Sequence, residues 1–254
     1  MTVRPMIALR DVAKTFYRGG RQSKAVEDIN LEIREGELFC LLGPSGCGKT
    51  TILNMIAGFE QVTSGDVLVD GQALAGPGPD RAVMFQTDTA LFSWLTALEN
   101  VEFGPRMRGV PTDDRRREAV RHIQLVGLTG QERKYPHELS GGMKQRVQLA
   151  RVLANNPKVL LMDEPFAALD AQTRRQMQRE LVDVWQKTGK TILMITHDID
   201  EALVLADRIG VMRSTGPGHL DELIAVQLPR PRTRSPEFDA LFERIDGLIS
   251  GGTD

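Results

Sequence analysis

The sequence predicts an α/β protein with a parallel β-sheet at its core. An apolar run at residues 38–42 leads through a glycine-rich loop into a helical pattern that begins near Ile52. Two later runs, residues 159–162 and 192–195, are apolar at every position, as strands buried on both faces of a parallel sheet require. Helical patterns separate the later strands, and this alternation is typical of a parallel α/β core.

The N-terminal segments predict a second, smaller sheet of antiparallel strands. Residues 7–12 alternate between apolar and polar positions, and residues 25–33 place their apolar side chains on one face. Residues 65–69 are a further short strand that closes with the Asp70-Gly71 turn. We expect this small sheet to lie beside the glycine-rich loop.

The glycine-rich loop itself matches the phosphate-loop pattern G-x-x-x-x-G-K-[ST]. In such loops backbone N–H groups surround an anion, and the following helix adds the positive end of its dipole. Lys49 would reach the β- and γ-phosphates of a nucleotide, and the Thr50 hydroxyl would hold magnesium. A chance glycine-rich turn is the alternative, and the strand and helix on either side argue against it. The residues of this loop and helix start are Gly43, Pro44, Ser45, Gly46, Cys47, Gly48, Lys49, Thr50 and Thr51.

Composition and charge narrow the class of function. The 254 residues are 41% hydrophobic and 26% charged, which is typical of a folded globular chain. The formal net charge of −2 argues against nucleic acid as the main partner. Basic residues cluster at 115–117 and at Arg230, Arg232 and Arg234, and we interpret them as solvated faces or as contacts for acidic headgroups or a partner.

The two cysteines, Cys40 and Cys47, indicate a reducing cytoplasm and no disulfide framework. We expect Cys47 to react with thiol reagents, because a helix N-terminus favours the thiolate. The first residues lack an apolar signal region, and no run of 18 apolar residues occurs. The sequence therefore predicts a cytosolic chain that works at a membrane only when another protein holds it there.

An irregular aromatic segment precedes the helices of the middle region. It contains Phe92, Trp94 and Phe103, which either belong to the core or form a docking surface for a partner. Helices are predicted over residues 113–126, 171–187, 201–206 and 238–249, a strand over residues 208–212, and an extended path through residues 228–231.

Polar residues stand where the buried strands end. Asp163-Glu164 follows one strand and His197 follows the next. The carboxyl ends of parallel strands form the ligand-binding edge of a sheet. By itself the acidic pair could cap the next element, the histidine could be structural, and Ser140-Gly141-Gly142 could be only an N-cap and a turn. Beside a phosphate loop, functional roles are favoured.

The chain resembles the ATP-binding-cassette ATPase subunits of transporters over nearly its whole length, both in its motifs and in the order in which they occur. The resemblance rests on the phosphate loop, Gln86, the signature at residues 139–143, the pair Asp163-Glu164, the turn at residues 168–170, and His197. Residues 76–86, 94–101 and 228–232 are similar to the nitrate, sulfonate and taurine importer branch. Two positions depart from the family pattern. Met143 stands where glutamine is commoner in the signature, and Ala167-Ala168 precede Leu169-Asp170 where the family frequently has a serine.

The resemblance implies a P-loop NTPase fold of RecA-like type, with a parallel-sheet core, a small antiparallel β subdomain and a helical subdomain. The ATPase domain would span residues 1–213, with the helical subdomain at about 87–155, and residues 214–254 would be a short C-terminal extension. It also implies a head-to-tail homodimer that buries two ATP molecules, each with Mg²⁺, between the chains.

The same resemblance implies roles for individual residues. Ser140, Gly141 and Gly142 would contact the γ-phosphate of the ATP bound by the opposite chain. Asp163 would help to hold magnesium, and Glu164 would be the general base for the attacking water. Gln86 would sense magnesium and the attacking water, His197 would bind the γ-phosphate, and Asp170 would communicate across the dimer. Phe16 would stack on adenine. For that stacking role Tyr17 is the alternative residue, and Phe16 could instead be part of the core.

Together these features predict the ATP-hydrolysing subunit of an importer for a small anion such as nitrate, a sulfonate or taurine. It would sit at the cytoplasmic face of the inner membrane as a peripheral protein, bound to separate permease subunits. An extracytoplasmic solute-binding protein would act with it indirectly, and nucleic acid would not be a partner. The alternative is a soluble ATPase of the same family in DNA repair or translation, whereas a P-loop kinase leaves the signature unexplained.

Overall fold

The computed structural model describes residues 4–85, 91–213 and 216–251, which form two compact units. The first unit consists of the chain up to Gly78 and from Gly189 onward, and the second is Pro79–Thr188. The strands of the first unit are β1 (Pro5–Arg18), β2 (Arg21–Arg34), β3 (Leu38–Leu42), β4 (Ser64–Val69), β5 (Gln72–Ala73), β8 (Thr191–Thr196), β9 (Arg208–Arg213) and β10 (His219–Ala225). Its helices are α1 (Lys49–Ala57), α6 (Ile199–Leu205) and α7 (Pro236–Ser250).

An antiparallel sheet with the strand order β2-β1-β4-β5 forms one part of the first unit. The alternation of the sequence places Ile7 and Leu9 of β1, and Ile29, Leu31 and Ile33 of β2, in the interior. This is the small antiparallel sheet that the N-terminal pattern predicts.

Strand β3 lies at the centre of the other sheet segment of this unit, between β8 and β9, and it is parallel to both. Every residue of β3 and β8 is buried. Continuous apolarity in these strands therefore reflects cover on both faces of the sheet. Strand β10 pairs antiparallel with β9, and the sequence pattern does not predict it.

In its described residues, the second unit combines a parallel strand pair with four α-helices and a short 3-10 helix at Pro136–Glu138. Strand β6 (Arg81–Met84) runs parallel to β7 (Val159–Asp163). The helices are α2 (Ala97–Met107), α3 (Thr112–Leu125), α4 (Gly141–Leu153) and α5 (Ala171–Thr188). Helices α2, α3 and α4 pack on one another, and each contributes buried residues, among them Val101, Ile123 and Val147.

The predicted fold class, parallel strands with helices and an antiparallel sheet, is confirmed. No described helix is both long enough and apolar enough to cross a bilayer. Among the aromatic residues, Phe92 is half-buried and its ring lies 4.4 Å from that of Phe103, whereas Trp94 is exposed. The interpretation of Arg230 and Arg232 as a solvated face is wrong, because both side chains are half-buried against backbone carbonyls.

Candidate functional site

The phosphate loop connects the buried strand β3 to helix α1. Gly48 precedes the helix with φ 95°, and α1 begins without any side-chain cap. The first N–H groups of a helix have no partners inside the helix, and the N-cap residue of α1, Gly48, has no side chain to cap them. They point with the positive end of the helix dipole toward the loop, as an anion site requires.

Glycine is required in this loop for two different reasons. Gly46 has φ 84° but open space around it, so its conformation alone selects glycine. At Gly48 a Cβ atom would also lie 2.3 Å from the Val26 Cγ1 atom. At Gly43 a Cβ atom would lie 2.6 Å from the Met212 carbonyl oxygen. The loop is therefore packed closely against β2 and β9 at its two ends.

Lys49 is buried, and its ammonium group stays at the loop. The Nζ atom donates to the carbonyl oxygens of Gly43 at 2.7 Å and Pro44 at 2.8 Å, and lies 3.8 Å from Cys47 Sγ. Ser45, Gly46 and Thr50 are exposed next to it. A positive charge therefore stands beside an exposed rim of small and polar residues, which is the arrangement that a bound phosphate needs.

Gly218 supports the loop from a distant part of the sequence, and sequence reasoning missed it. Its backbone bridges to β2, donating to the Ala25 carbonyl at 2.9 Å and accepting from the Glu27 amide at 3.0 Å. A Cβ atom at this position would lie 1.9 Å from the Cys47 carbonyl oxygen. Only glycine fits there, and no local pattern around Gly218 signals that contact.

The expectation that Cys47 is a reactive thiolate is wrong. Burial raises the pKa of the Cys47 thiol, and this effect outweighs the lowering by the charge and hydrogen bonds of Lys49. The side chain is 1% exposed. Cys47 therefore packs as a small apolar group within the loop.

In the second unit, β7 ends at the acidic pair. Asp163 and Glu164 are both half-buried. Glu164 has φ 44°, a left-handed conformation that costs energy for any residue with a Cβ atom. Strained backbone of this kind is concentrated at functional sites, where the surrounding structure holds it in place.

Helix α4 begins at the signature and reaches the segment that follows Glu164. The Ser140 Oγ atom accepts a hydrogen bond from the Met143 amide at 3.3 Å, so the predicted N-cap is present. A Cβ atom on Gly142 would lie 2.7 Å from Thr173 Cγ2, whereas Gly141 is exposed with open space around it. The buried side chain of Gln145, which sequence reasoning did not single out, donates to the Pro165 carbonyl at 2.7 Å.

His197 is exposed at the end of β8, between two residues with fixed side chains. The Thr196 hydroxyl donates to Glu201 Oε2 at 2.6 Å and accepts from the Asp198 amide at 3.1 Å. Asp198 caps α6 by accepting from the Glu201 amide at 3.1 Å. The imidazole is thus presented at the carboxyl end of a parallel strand on a rigid backbone.

Four further residues are assigned roles by the sequence, and the structure describes three of them. Phe16 is half-buried with the Lys14 ammonium 4.9 Å from its ring centroid, while Tyr17 is exposed. Asp170 accepts hydrogen bonds from the amides of Gln172 and Thr173 at 3.0 Å, and bonds to Thr173 are the main cause of its lowered pKa. Gln86 lies outside the described residues.

Comparison with known proteins identifies the family. The sequence pattern of the family described as ABC transporter matches residues 26–167. The chain belongs to the ABC transporter family. This ABC chain is 49% identical over 244 residues to an uncharacterized ABC transporter ATP-binding protein, MJ0412, of Methanocaldococcus jannaschii, covering 96% of this chain and 91% of that one.

Two other relatives carry more informative descriptions. The nitrate import ATP-binding protein NrtD of Synechococcus elongatus is 47% identical over 226 residues, covering 88% of the ABC chain and 82% of that protein. The ATP-binding cassette MJ0796, solved as a dimer in a post-hydrolysis state with ADP and Pi, aligns with a TM-score of 0.74 and 32% identity. That alignment covers 88% of this chain and all of the other. The predicted family, fold and ATPase activity are confirmed.

Each unit of the ABC chain carries oxygen donors of the kind that magnesium prefers. Magnesium is usually bound by one or two carboxylates plus substrate phosphates and waters, without a dedicated protein cage. Thr50 offers a hydroxyl and Asp163 a carboxylate. Among the described residues, no cluster of three or more histidine, cysteine or acidic side chains could hold a metal ion without further ligands.

Proposed function

We propose that this chain is the ATP-hydrolysing subunit of an importer for a small inorganic or sulfonate anion. The single observation that carries the nucleotide part is the phosphate loop, in which an uncapped helix α1 and a buried Lys49 ammonium converge on an exposed rim. The family membership supports the transport part. The description of NrtD as a nitrate import protein supports the direction and the class of solute.

The phosphate loop would bind the β- and γ-phosphates through its backbone amides. Lys49 would exchange its hydrogen bonds to the Gly43 and Pro44 carbonyls for bonds to phosphate oxygens, and its charge would offset theirs. Magnesium, when bound, would neutralise charge that develops on the phosphates. The magnesium ion would be held by Thr50, Asp163 and Gln86. Phe16 would stack on adenine, and the exposed Tyr17 is the alternative residue for that role.

Glu164 would accept a proton from the attacking water, and its fixed left-handed backbone would set the direction of the carboxylate. His197 would contact the γ-phosphate. Ser140, Gly141 and Gly142 begin helix α4 and would meet the γ-phosphate held by a second copy of the chain, with Asp170 at the same interface. The dimeric state of the MJ0796 cassette supports a homodimer. A head-to-tail arrangement would place each signature at the nucleotide of the other chain.

Closure of that homodimer around ATP would be the event that separate permease subunits sense. These subunits would hold the chain at the cytoplasmic face of the membrane, and a solute-binding protein would deliver the anion from outside. Residues 1–213 would form the ATPase domain, with the helical subdomain at about 87–155, and residues 214–254 the extension. Nothing observed favours the alternative of a soluble ATPase in DNA repair or translation.

The decisive experiment replaces Glu164 by Gln, with Glu243→Gln on the exposed face of α7 as the matched control. We expect Glu164→Gln to stop steady-state hydrolysis, to retain MgATP binding and to shift the chain to a dimer in size-exclusion chromatography with MgATP. The control should behave as the unaltered chain. Wild-type turnover by Glu164→Gln would show that Glu164 is not the base.

The transport part is tested by purifying tagged Glu164→Gln chain gently from native membranes with MgATP and identifying its companions by mass spectrometry. Recovery of a multi-spanning membrane protein supports the importer. A solute-binding protein found with it can be titrated with nitrate, taurine and bicarbonate to identify the solute. Recovery of ribosomes or DNA-repair factors without a membrane protein would contradict the proposal.

A further inference from the structure

Two arginines of the C-terminal segment occupy every orphan carbonyl at the end of helix α6. The last four carbonyls of an α-helix have no partner inside the helix, and for α6 these are the carbonyls of residues 203–206. Cationic donors at a helix C-terminus also interact favourably with its dipole. Arg230 donates to the carbonyls of Val204 and Leu205, and Arg232 donates to those of Leu203 and Ala206.

Other contacts hold both guanidinium groups in place. Arg230 pairs with Asp207 at 3.0 Å, and Asp207 also accepts from the Leu38 amide of β3 at 3.1 Å. Arg232 donates to the Val226 carbonyl at 3.0 Å. Burial lowers the pKa of Arg232 to about 10, and the neighbouring Arg230 charge adds to this. A guanidinium group that burial has partly removed from water stays charged because backbone carbonyls replace the lost water as hydrogen-bond acceptors.

The opposite end of α6 carries the segment around His197. Asp198 caps the helix, and the buried Glu201 side chain in its first turn binds the Thr196 hydroxyl. Helix α6 has seven residues, a length of about 10 Å. So short a helix is not stable by itself, and its order depends on contacts at both ends. Loss of the contacts at one end of α6 is therefore expected to disturb the backbone at the other end.

We propose that Arg230 and Arg232 are positioning residues for His197. By closing the C-terminal end of α6 they fix the helix whose N-terminal cap holds the backbone on either side of that histidine. The proposal rests on the proposed function, in which His197 contacts the γ-phosphate. It assigns a role in hydrolysis to the C-terminal segment.

The test compares Arg232→Ala, Arg232→Lys and a control, Arg244→Ala, in the full-length chain with MgATP. Arg244 is a matched control because it forms an exposed ion pair with Glu222 in the same C-terminal segment. The measurements are kcat and KM for ATP, and the ring ¹³C–¹H signal of His197, assigned by its loss in His197→Gln. The melting temperature of each variant confirms folding.

We expect Arg232→Ala to lower kcat about tenfold with KM for ATP within about twofold, because misplacement of a contacting group acts on the reacting geometry. The His197 ring signal should move or broaden. Arg232→Lys should lie between Arg232→Ala and the unaltered chain, since one ammonium keeps the charge but cannot reach carbonyls on both sides. Arg244→Ala should leave kcat and the ring signal unchanged.

Different outcomes separate the two proposals. If His197→Gln retains wild-type kcat, the role of His197 in the proposed function is wrong and the inference fails with it. If His197→Gln is impaired but a folded Arg232→Ala keeps wild-type kcat and an unmoved ring signal, the inference alone is wrong. If Arg232→Ala does not fold, Arg232→Lys is judged by the same two measurements.

Discussion

The carboxamide of Gln145 donates a 2.7 Å hydrogen bond to the carbonyl of Pro165 and so joins helix α4 to the residue that follows Glu164. Helix α4 begins at the signature, and Glu164 is the proposed base. One buried side chain thus connects the two motifs of the second unit. Its other polar atom, Oε1, is buried with no hydrogen-bond partner among the described residues.

Gln145→Met should separate this connection from simple packing. Methionine has a similar size but no donor, so the Pro165 carbonyl loses its partner while the unpaired Oε1 atom is also removed. We expect the free energy of unfolding to fall by only about 1 kcal/mol and kcat to fall several-fold. Urea unfolding and steady-state ATPase assays measure both. Lys144→Gln on the same helix is the control, and equal kcat in the two variants would contradict a role in positioning Glu164.

Glu164 should show an inverted order of stability for its small replacements. Glycine in place of alanine normally destabilises, but at φ 44° the Cβ atom of alanine carries the larger cost. We expect Glu164→Gly to be more stable than Glu164→Ala by about 0.5–1 kcal/mol in urea unfolding. Both should lack steady hydrolysis. A more stable alanine variant would show that the backbone at Glu164 is not held in the left-handed conformation.

Two glycines of the phosphate loop allow conformation and space to be measured separately. Gly46→Ala meets open space, so only its φ of 84° opposes the change, and we expect a loss of about 1–2 kcal/mol. Gly48→Ala adds a clash at 2.3 Å with the β-branched Val26, and we expect about 2–4 kcal/mol. Urea unfolding of both variants tests the order. Equal losses would mean that Val26 yields to the added methyl group.

The Cys47 thiol should react slowly at neutral pH and faster as the pH rises. Because burial raises its pKa, the thiolate is the minor form below that pKa and grows about tenfold per pH unit. Iodoacetamide labelling between pH 7 and 9, followed by peptide mass spectrometry, should show this rise without a plateau. MgATP should slow the labelling, and the buried Cys40 in the same sample should label more slowly still. A plateau below pH 8 would instead indicate a stabilised thiolate.

Local patterns predict those parts of the fold whose causes are local. Apolar runs predict β3 and β8 because cover on both faces selects for apolarity at every position. The phosphate loop is readable because its glycines, lysine and helix start are adjacent in sequence. Strand β10 cannot be read from the sequence in this way. It is an edge strand in which only Ile224 is buried, so its alternation of apolar and polar residues is weak.

Long-range contacts to the backbone explain what sequence reasoning missed at the site. Gln145, Gly218, Arg230 and Arg232 all act on main-chain carbonyls of distant residues. Every residue has a main-chain carbonyl, so the residue type of the acceptor does not indicate which residue a distant donor side chain will contact.

The close approach of Gly218 to the Cys47 carbonyl also joins two parts of the chain that lie far apart in sequence. Residues on both sides of the second unit in sequence build the first unit, so the phosphate loop gains its support only after a very long loop has closed. Such non-local contacts raise the contact order and slow folding. A circular permutant that begins at Gly189 and continues from residue 251 into residue 4 through a flexible linker would make the first unit continuous in sequence. We expect it to refold faster than the unaltered chain, as measured by stopped-flow fluorescence after dilution from urea.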